Sequence, residues 1–140
     1  MPETDLHRLL YVSSAVSRMP PAALESLLTD ARARNGSNGI TGLLLYADGD
    51  FMQLLEGPRD QVLDTYSRIE RSRLHRGLIA LMNSSTKERI FSGWSMAYSQ
   101  ATWGQLTEVQ NACRQSDDAV AKVLRGFAGD ASRFPLGKGT

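Results

Sequence analysis

"ITGLLLYADGDFMQLLEGPRD", residues 40–60, holds two apolar runs on either side of the dipeptide Asp48-Gly49. Glycine tolerates the positive φ that a tight hairpin turn demands, so this stretch predicts a β-hairpin with strands at residues 40–46 and 51–55. Successive side chains of a strand point to opposite faces, and here both faces are largely apolar. We therefore expect a sheet that is covered on both sides, with Gln53 buried in it.

Strand and helix patterns alternate on both sides of the hairpin. "LHRLLYVSS" (6–14) predicts a strand, and Pro20-Pro21 opens a helix that Asn38-Gly39 ends. The apolar positions of that helix recur at i, i+3, i+4 and i+7: they are Leu24, Leu27, Leu28 and Ala31. A second helix is predicted from residues 58–60 to Gly77, with one stripe formed by Val62, Tyr66, Ile69 and Arg73. "LIALMNSS" (78–85) and "WSMAYS" (94–99) predict two more strands, joined by the charged segment "TKERIFSG".

The order β-α-β-β-α-β-β predicts an α+β fold: a ferredoxin-like, mostly antiparallel sheet with two helices on one face. After residue 100 the pattern becomes helical, with apolar stripes formed by Trp103, Leu106, Val109 and Cys113, and then by Val120, Val123, Leu124 and Phe127. We expect these C-terminal helices to cap the other sheet face. The predicted units are a sheet domain at residues 1–100, a helical cap at 101–129 and a disordered tail at 130–140.

Composition excludes several classes of function. The 140 residues carry a net charge of +1 and no Lys/Arg run, which gives no basis for binding nucleic acid or an anionic membrane. Cys113 is the sole cysteine and His7 and His75 are the only histidines, so neither an internal disulfide nor a metal site is expected. Without a signal peptide or an apolar run of membrane-spanning length, the chain is expected in the reducing cytosol.

Three polar side chains converge where apolar ones would be expected. Tyr11 and Gln53 lie on neighbouring predicted strands and point towards the helices, and Asn35 continues the buried stripe of the first helix. They indicate a polar ligand held between helices and sheet, or else a structural hydrogen-bond network. No hydrolase or P-loop motif is present. Glu56 is expected on the opposite face, in an ion pair, and His75 at a helix end.

Four motifs resemble the BLUF domain, the bacterial blue-light sensor that binds FAD: "LHRLLYVSSA", "RNGSNGITGLLLY", "FMQLLEGPRDQV" and "FSGWSMAY". The resemblance implies that Gln53 hydrogen-bonds the flavin and switches, that Tyr11 donates an electron, and that Asn35 binds the carbonyl side of the ring. It implies a signalling role for Trp94 and Met96 on the last strand. Further flavin contacts are implied for Ser13, Leu27, Arg34, Phe51, Arg68, Ile69 and His75.

One segment departs from the family pattern. Many relatives carry Asp-x-Arg-His after the second helix, whereas Ser72 and Leu74 stand at the acidic and arginine places here. Contacts to the FAD phosphates are therefore open, with Arg73 or Arg76 as possible substitutes.

The resemblance implies a photoreceptor, not an enzyme, that binds FAD noncovalently at residues 1–100. It would signal through an unidentified protein partner or as a homo-oligomer, a dimer or larger. The alternative is a light-independent ferredoxin-like module that binds a ligand or partner. An FAD-dependent redox enzyme is disfavoured, because no acid, base or thiol is evident for a second substrate.

Overall fold

The computed structural model describes residues 6–92 and 95–128, with Ala128 described by its backbone alone. Within these ranges the elements are β1 (Leu6–Ala15), α1 (Pro21–Asn38), β2 (Thr41–Ala47), β3 (Asp50–Pro58), α2 (Arg59–Glu70), β4 (His75–Ser85), β5 (Ala97–Gln100), α3 (Trp103–Cys113) and α4 (Asp117–Ala128). The order confirms the predicted β-α-β-β-α-β-β pattern and the two helices after it. Trp94 and the tail predicted at 130–140 lie outside the described residues.

The strands form one sheet in the order β4-β1-β3-β2-β5. β2 and β5 run parallel, and the other neighbouring strands are antiparallel, as the fold class predicted. β1 and β3 lie side by side and pair Tyr11 directly with Gln53. The two polar residues singled out on separate strands are therefore neighbours on one face.

The turn between β2 and β3 fixes the register around Gln53. Asp48 has φ 42° and Gly49 has φ 104°, the positive values that a tight hairpin turn needs and that these two residue types tolerate best. The resulting register pairs Leu44 with Gln53. Since a slip of one residue would turn Gln53 to the opposite face, this turn sets which face is polar.

α1 begins and ends where its sequence predicts. Proline stands at its N-terminus, and Gly39, with φ 73°, closes it by donating its backbone N–H to the Asn35 carbonyl. Leu24, Leu28 and Asn35 are buried. The helix therefore presents two leucines and one carboxamide to the sheet.

Each face of the sheet has its own core, as the apolar character of both faces predicted. On the α1/α2 face, Leu9, Leu44, Phe51 and Leu55 pack with Leu24, Leu28 and Val62. On the α3/α4 face, Leu10, Leu43, Met52 and Leu54 pack with Leu106, Val109, Val120 and Leu124. The C-terminal helices thus cover the second face.

The end of α2 differs from the prediction. The helix ends at Glu70, Arg73 is exposed, and Gly77 lies inside β4 with φ 66°. The predicted placement of His75 at a helix end is also wrong, since His75 begins β4 and pairs with Ala15. Turn hydrogen bonds from Arg71 N and Ser72 N to carbonyls of α2 end the helix, and Leu74 N donates to Ser72 Oγ before β4 begins.

Trp103 also departs from its predicted place in a buried stripe. Its side chain is the first of α3 and remains 59% exposed, while its Nε1 donates to the Ala47 carbonyl at 2.8 Å. The rest of the stripe holds: Leu106 and Val109 are buried and Cys113 is half-buried. An indole carries a polar N–H, and that bond places the ring at the edge of the core.

Candidate functional site

A cavity of about 360 Å³ lies between α1, α2 and the sheet. This volume falls within the range of small-molecule pockets. One wall of the cavity is formed by α1, and the opposite wall by β2, β3 and α2. The segment that leads into β4 closes the cavity. Of the flavin-contact residues implied by the sequence, those that line the cavity are Leu27, Arg34, Asn35, Gln53, Arg68, Ile69 and His75.

A chain of hydrogen bonds runs through Gln53 in the cavity wall. The Tyr11 hydroxyl donates to Gln53 Oε1 at 2.5 Å, and Gln53 Nε2 donates to Met96 Sδ at 3.4 Å. All three side chains are buried. Tyr11 and Met96 thus do not line the cavity themselves but contact the carboxamide that does. Each end of that carboxamide has one partner in the protein, and each keeps capacity for a second hydrogen bond, which a ligand in the cavity could take.

Tyr11 is held as a neutral phenol. Burial, and to a lesser extent the neighbouring Tyr66, raises the pKa of Tyr11 far above its usual value. The two rings are tilted, with centroids 5.6 Å apart. A phenol that cannot ionise keeps its proton available for donation to Gln53.

α1 holds the segment that leads into β5. Asn35 Nδ2 donates to the Ser95 carbonyl at 2.9 Å, and Arg32 Nε donates to the Met96 carbonyl at 2.9 Å. Sequence reasoning placed Asn35 in the site but missed Arg32 and Ser95. The missing information is tertiary: nothing in the sequence of α1 shows that the backbone at residues 95–96 lies against it.

Ser13, Phe51 and His75 form a second group beside the cavity. Ser13 Oγ lies 3.0 Å from His75 Nδ1, and the Phe51 and His75 ring centroids are 4.8 Å apart. Burial lowers the pKa of His75, which favours the neutral imidazole. Of the three, only His75 lines the cavity; Ser13 and Phe51 position its ring.

Polarity changes along the cavity. Asn35, Gln53 and Thr65 are neutral and buried, whereas Arg34 is exposed and Arg68 half-buried. The inner part of the cavity therefore offers uncharged hydrogen-bonding groups, and the outer part offers the guanidinium groups of Arg34 and Arg68 together with the carboxylate of Asp30. Such a gradient fits a ligand with a neutral heterocycle at one end and phosphates at the other.

Thr65 is a cavity residue that the sequence analysis did not find. It is 6% exposed, and its Oγ1 has no hydrogen-bond partner within the part of the chain that the structure describes. The signal was present, because Thr65 is a polar residue among the inward positions of α2. An unpartnered buried hydroxyl in a cavity wall fits a site for a polar ligand.

On the opposite sheet face, Glu56 forms the predicted ion pair. Its Oε2 lies 2.9 Å from Arg8 Nε, and its side chain is fully buried. The same carboxylate accepts the backbone N–H groups of Ile90, at 2.8 Å, and Phe91, at 3.1 Å. Glu56 thus ties the connection between β4 and β5 to the strand that carries Gln53.

The family model for sensors of blue light using FAD, BLUF, matches residues 6–97. The chain belongs to the BLUF family. The light-independent module considered above is therefore disfavoured, and this BLUF protein is a flavin-binding blue-light sensor.

Similar proteins support this assignment. The BLUF chain is 38% identical over 89 residues to photoactivated adenylate cyclase subunit alpha of Euglena gracilis, a match that covers 64% of this chain and 9% of that protein. The photo-activated state of BlsA superposes with a TM-score of 0.72 at 29% identity, covering 86% of this chain and 93% of BlsA. BlrB in its dark state, at 24% identity, covers 87% of this chain and 96% of its own, and its TM-score of 0.73 shows the shared fold.

Two further findings concern the described residues alone. None of their helices combines the length and apolar character needed to cross a membrane. Across residues 6–92 and 95–128, no three His, Cys, Asp or Glu side chains lie together as a metal site would require.

Proposed function

We propose that this BLUF protein binds FAD noncovalently in the cavity between α1 and α2, and reports blue light by exchanging hydrogen bonds at Gln53. The observation that carries the proposal is the buried contact of Tyr11 with Gln53 Oε1, with Met96 at the other end of the same carboxamide. Tyr11, Gln53, Trp94 and Met96 are the proposed photoactive residues. The proposed flavin-binding residues are Tyr11, Ser13, Leu27, Arg34, Asn35, Phe51, Gln53, Arg68, Ile69, His75 and Met96.

Bound FAD would supply absorption of blue light and an excited ring able to take one electron from a nearby phenol. Tyr11 is the phenol, and its oxidation makes the hydroxyl proton strongly acidic. Gln53 Oε1, 2.5 Å away, is placed to receive that proton. A carboxamide has one donor end and one acceptor end, so its rotation or tautomerisation exchanges the partners at both. Return of electron and proton to Tyr11 makes the cycle reversible.

The phosphates would lie towards Arg34 and Arg68. Both side chains line the cavity, whereas Arg73 and Arg76 are exposed and outside its wall. Guanidinium groups bind phosphate oxygens through charge-assisted hydrogen bonds. These two arginines would take the role that Leu74 cannot fill. Noncovalent binding is supported by the position of Cys113, which packs in the other core. The expectation that no histidine faces the flavin is wrong, since His75 lines the cavity, but its Nδ1 is engaged by Ser13.

The output would pass to other proteins, not to a reaction catalysed by this BLUF chain. The relatives named photoactivated adenylate cyclases are much longer than the matched region, which spans 9–14% of the first three. We propose that this chain acts in the cytosol as a homo-oligomer, a dimer or larger, and through a downstream protein. The net charge of +1 favours neither nucleic acid nor a membrane as partner.

The test compares wild-type protein with Gln53→Leu in a light-minus-dark absorbance spectrum. Wild type should be yellow, shift to the red in blue light and revert in the dark. Gln53→Leu should keep flavin but lose the shift, because leucine removes both hydrogen-bonding ends at similar volume. Gln110→Leu on α3 is the matched control and should behave as wild type.

Two results would contradict the proposal. A normal red shift in Gln53→Leu would remove the carboxamide from the switch. Flavin that stays on the chain after acid precipitation would exclude noncovalent binding.

A further inference from the structure

Thr65 Oγ1 is a buried polar atom in the cavity wall, without a hydrogen-bond partner among the described residues. A threonine in a helix can satisfy its hydroxyl on the carbonyl of the preceding turn, and Thr65 does not. Valine has nearly the same shape and would fill this position without an unsatisfied group. Folding alone therefore gives no reason for a hydroxyl here.

The other polar side chains in the inner part of the cavity already have partners. Gln53 is engaged at Oε1 by Tyr11 and at Nε2 by Met96, and Asn35 Nδ2 is engaged by the Ser95 carbonyl, so each amide nitrogen uses one of its two N–H groups within the protein. Asn35 Oδ1 can accept, but it cannot donate. The Thr65 hydroxyl is a donor that no contact with the described residues uses.

The chemistry of a flavin identifies a matching acceptor. Its ring system is uncharged and carries carbonyl oxygens, whereas the phosphates of FAD are anionic and suit Arg34 and Arg68 at the outer part of the cavity. Thr65 is 6% exposed and belongs to the inner, neutral part. A neutral hydroxyl buried there suits the ring and not the phosphates.

We propose that the Thr65 hydroxyl donates a hydrogen bond to a carbonyl oxygen of the flavin ring and is a ring-binding residue of this protein. The inference rests on the proposed function, because it requires flavin in this cavity. It also predicts a conflict between stability and binding: the group that destabilises the flavin-free fold is the group that helps to hold the ring.

The test measures two quantities, the dissociation constant for FAD and the thermal midpoint of the full chain freed of flavin. Thr65→Val should weaken FAD binding about 3- to 10-fold, the loss expected for one neutral hydrogen bond. It should leave the flavin-free midpoint equal to wild type or higher, because a methyl group replaces an unsatisfied hydroxyl.

Thr65→Ser keeps the donor and should bind FAD within about twofold of wild type. Thr107→Val, at an exposed position on α3, controls for threonine replacement in a helix.

Riboflavin, which has the ring but no phosphates, locates the contact. Thr65→Val should weaken riboflavin and FAD binding by the same factor. A loss with FAD alone would place the hydroxyl against another part of the cofactor and overturn the proposal. So would unchanged binding by Thr65→Val, or a Thr65→Val chain that no longer folds. Failure of wild type to bind either flavin would instead refute the proposed function, and this inference with it.

Discussion

Gln53 and Tyr11 face each other because of backbone register, and their chemistry follows from that placement. The pairing of β1 with β3 sets them directly opposite, on the face that α1 and α2 cover. In water, a tyrosine and a glutamine would each exchange partners with solvent. Buried together, their side chains hydrogen-bond to each other and, among the described residues, to Met96, which leaves the cavity as the source of further partners. Because these side chains are buried, a ligand that enters the cavity can change their hydrogen bonds.

Replacing Tyr11 with Phe tests the electron-donor role. The ring and its packing remain, while the oxidisable hydroxyl and the proton for Gln53 Oε1 are lost. We expect flavin binding to persist and the reversible red shift to disappear, because the flavin has lost its proposed electron donor. Steady-state difference spectra and transient absorption measure this outcome. Tyr46→Phe is the control, because Tyr46 lies in the same core and its hydroxyl accepts from Met19 N. An unchanged photocycle in Tyr11→Phe would assign the donor elsewhere, with Trp94 the first candidate.

At the scale of elements, the connection between β4 and β5 is anchored from both faces of the sheet. Asn35 and Arg32 of α1 hold the backbone at residues 95–96, and the Glu56 carboxylate holds the backbone at residues 90–91. Glu56 stands three residues after Gln53 on β3. A displacement of β3 would therefore reach this connection through Glu56 and through the contact of Gln53 with Met96.

The Glu56 anchor can be measured by a mutant cycle. Glu56→Gln leaves the Arg8 guanidinium buried without its counter-charge, which should lower the free energy of unfolding by about 3–5 kcal/mol. In an Arg8→Met background the same change should cost at least about 1 kcal/mol less, because no buried guanidinium is then left without its counter-charge. Urea denaturation of the four proteins gives these values. Equal costs in the two backgrounds would show that the charge pair contributes nothing.

Local patterns predicted the elements well, and tertiary contacts explain what they missed. Turn chemistry at Asp48-Gly49 and Gly39 fixed the hairpin and the end of α1, since those signals act over a few residues. The end of α2 was misplaced because pairing of His75 with Ala15 depends on residues sixty positions apart. Arg32 was missed for the same reason, since its contact with the Met96 carbonyl joins segments that are far apart in the sequence. Periodicity does place Thr65 among the inward positions of α2, but its lack of a hydrogen-bond partner among the described residues depends on the tertiary surroundings.

At the scale of the whole molecule, one sheet separates the cavity from the helices expected to carry the output. Residues 95–103 connect the two sides: Met96 contacts Gln53, Ala101 N donates to the Tyr46 carbonyl at 3.0 Å, and Trp103 donates to Ala47. Met96 and Tyr98 point into the core of the α1/α2 face, whereas Ala97 points into the core of the α3/α4 face. β5 is therefore in contact with both cores along a few residues.

The last prediction follows from that position of β5. If light changes the partner of Gln53 Nε2, Met96 loses its contact and β5 shifts against β2, which alters the packing of α3 and α4. Hydrogen exchange at residues 101–127 should then differ between dark and light in wild type, and the difference should shrink in Met96→Ala while flavin and most of the red shift remain. Met96→Leu separates packing from hydrogen bonding, because it keeps the side-chain volume without the sulfur acceptor. Coupling of about 1–3 kcal/mol suffices to change a partner's affinity 5- to 150-fold. Identical protection of α3 and α4 in dark and light would mean that these helices only cover the sheet, and that the signal leaves the protein by another surface.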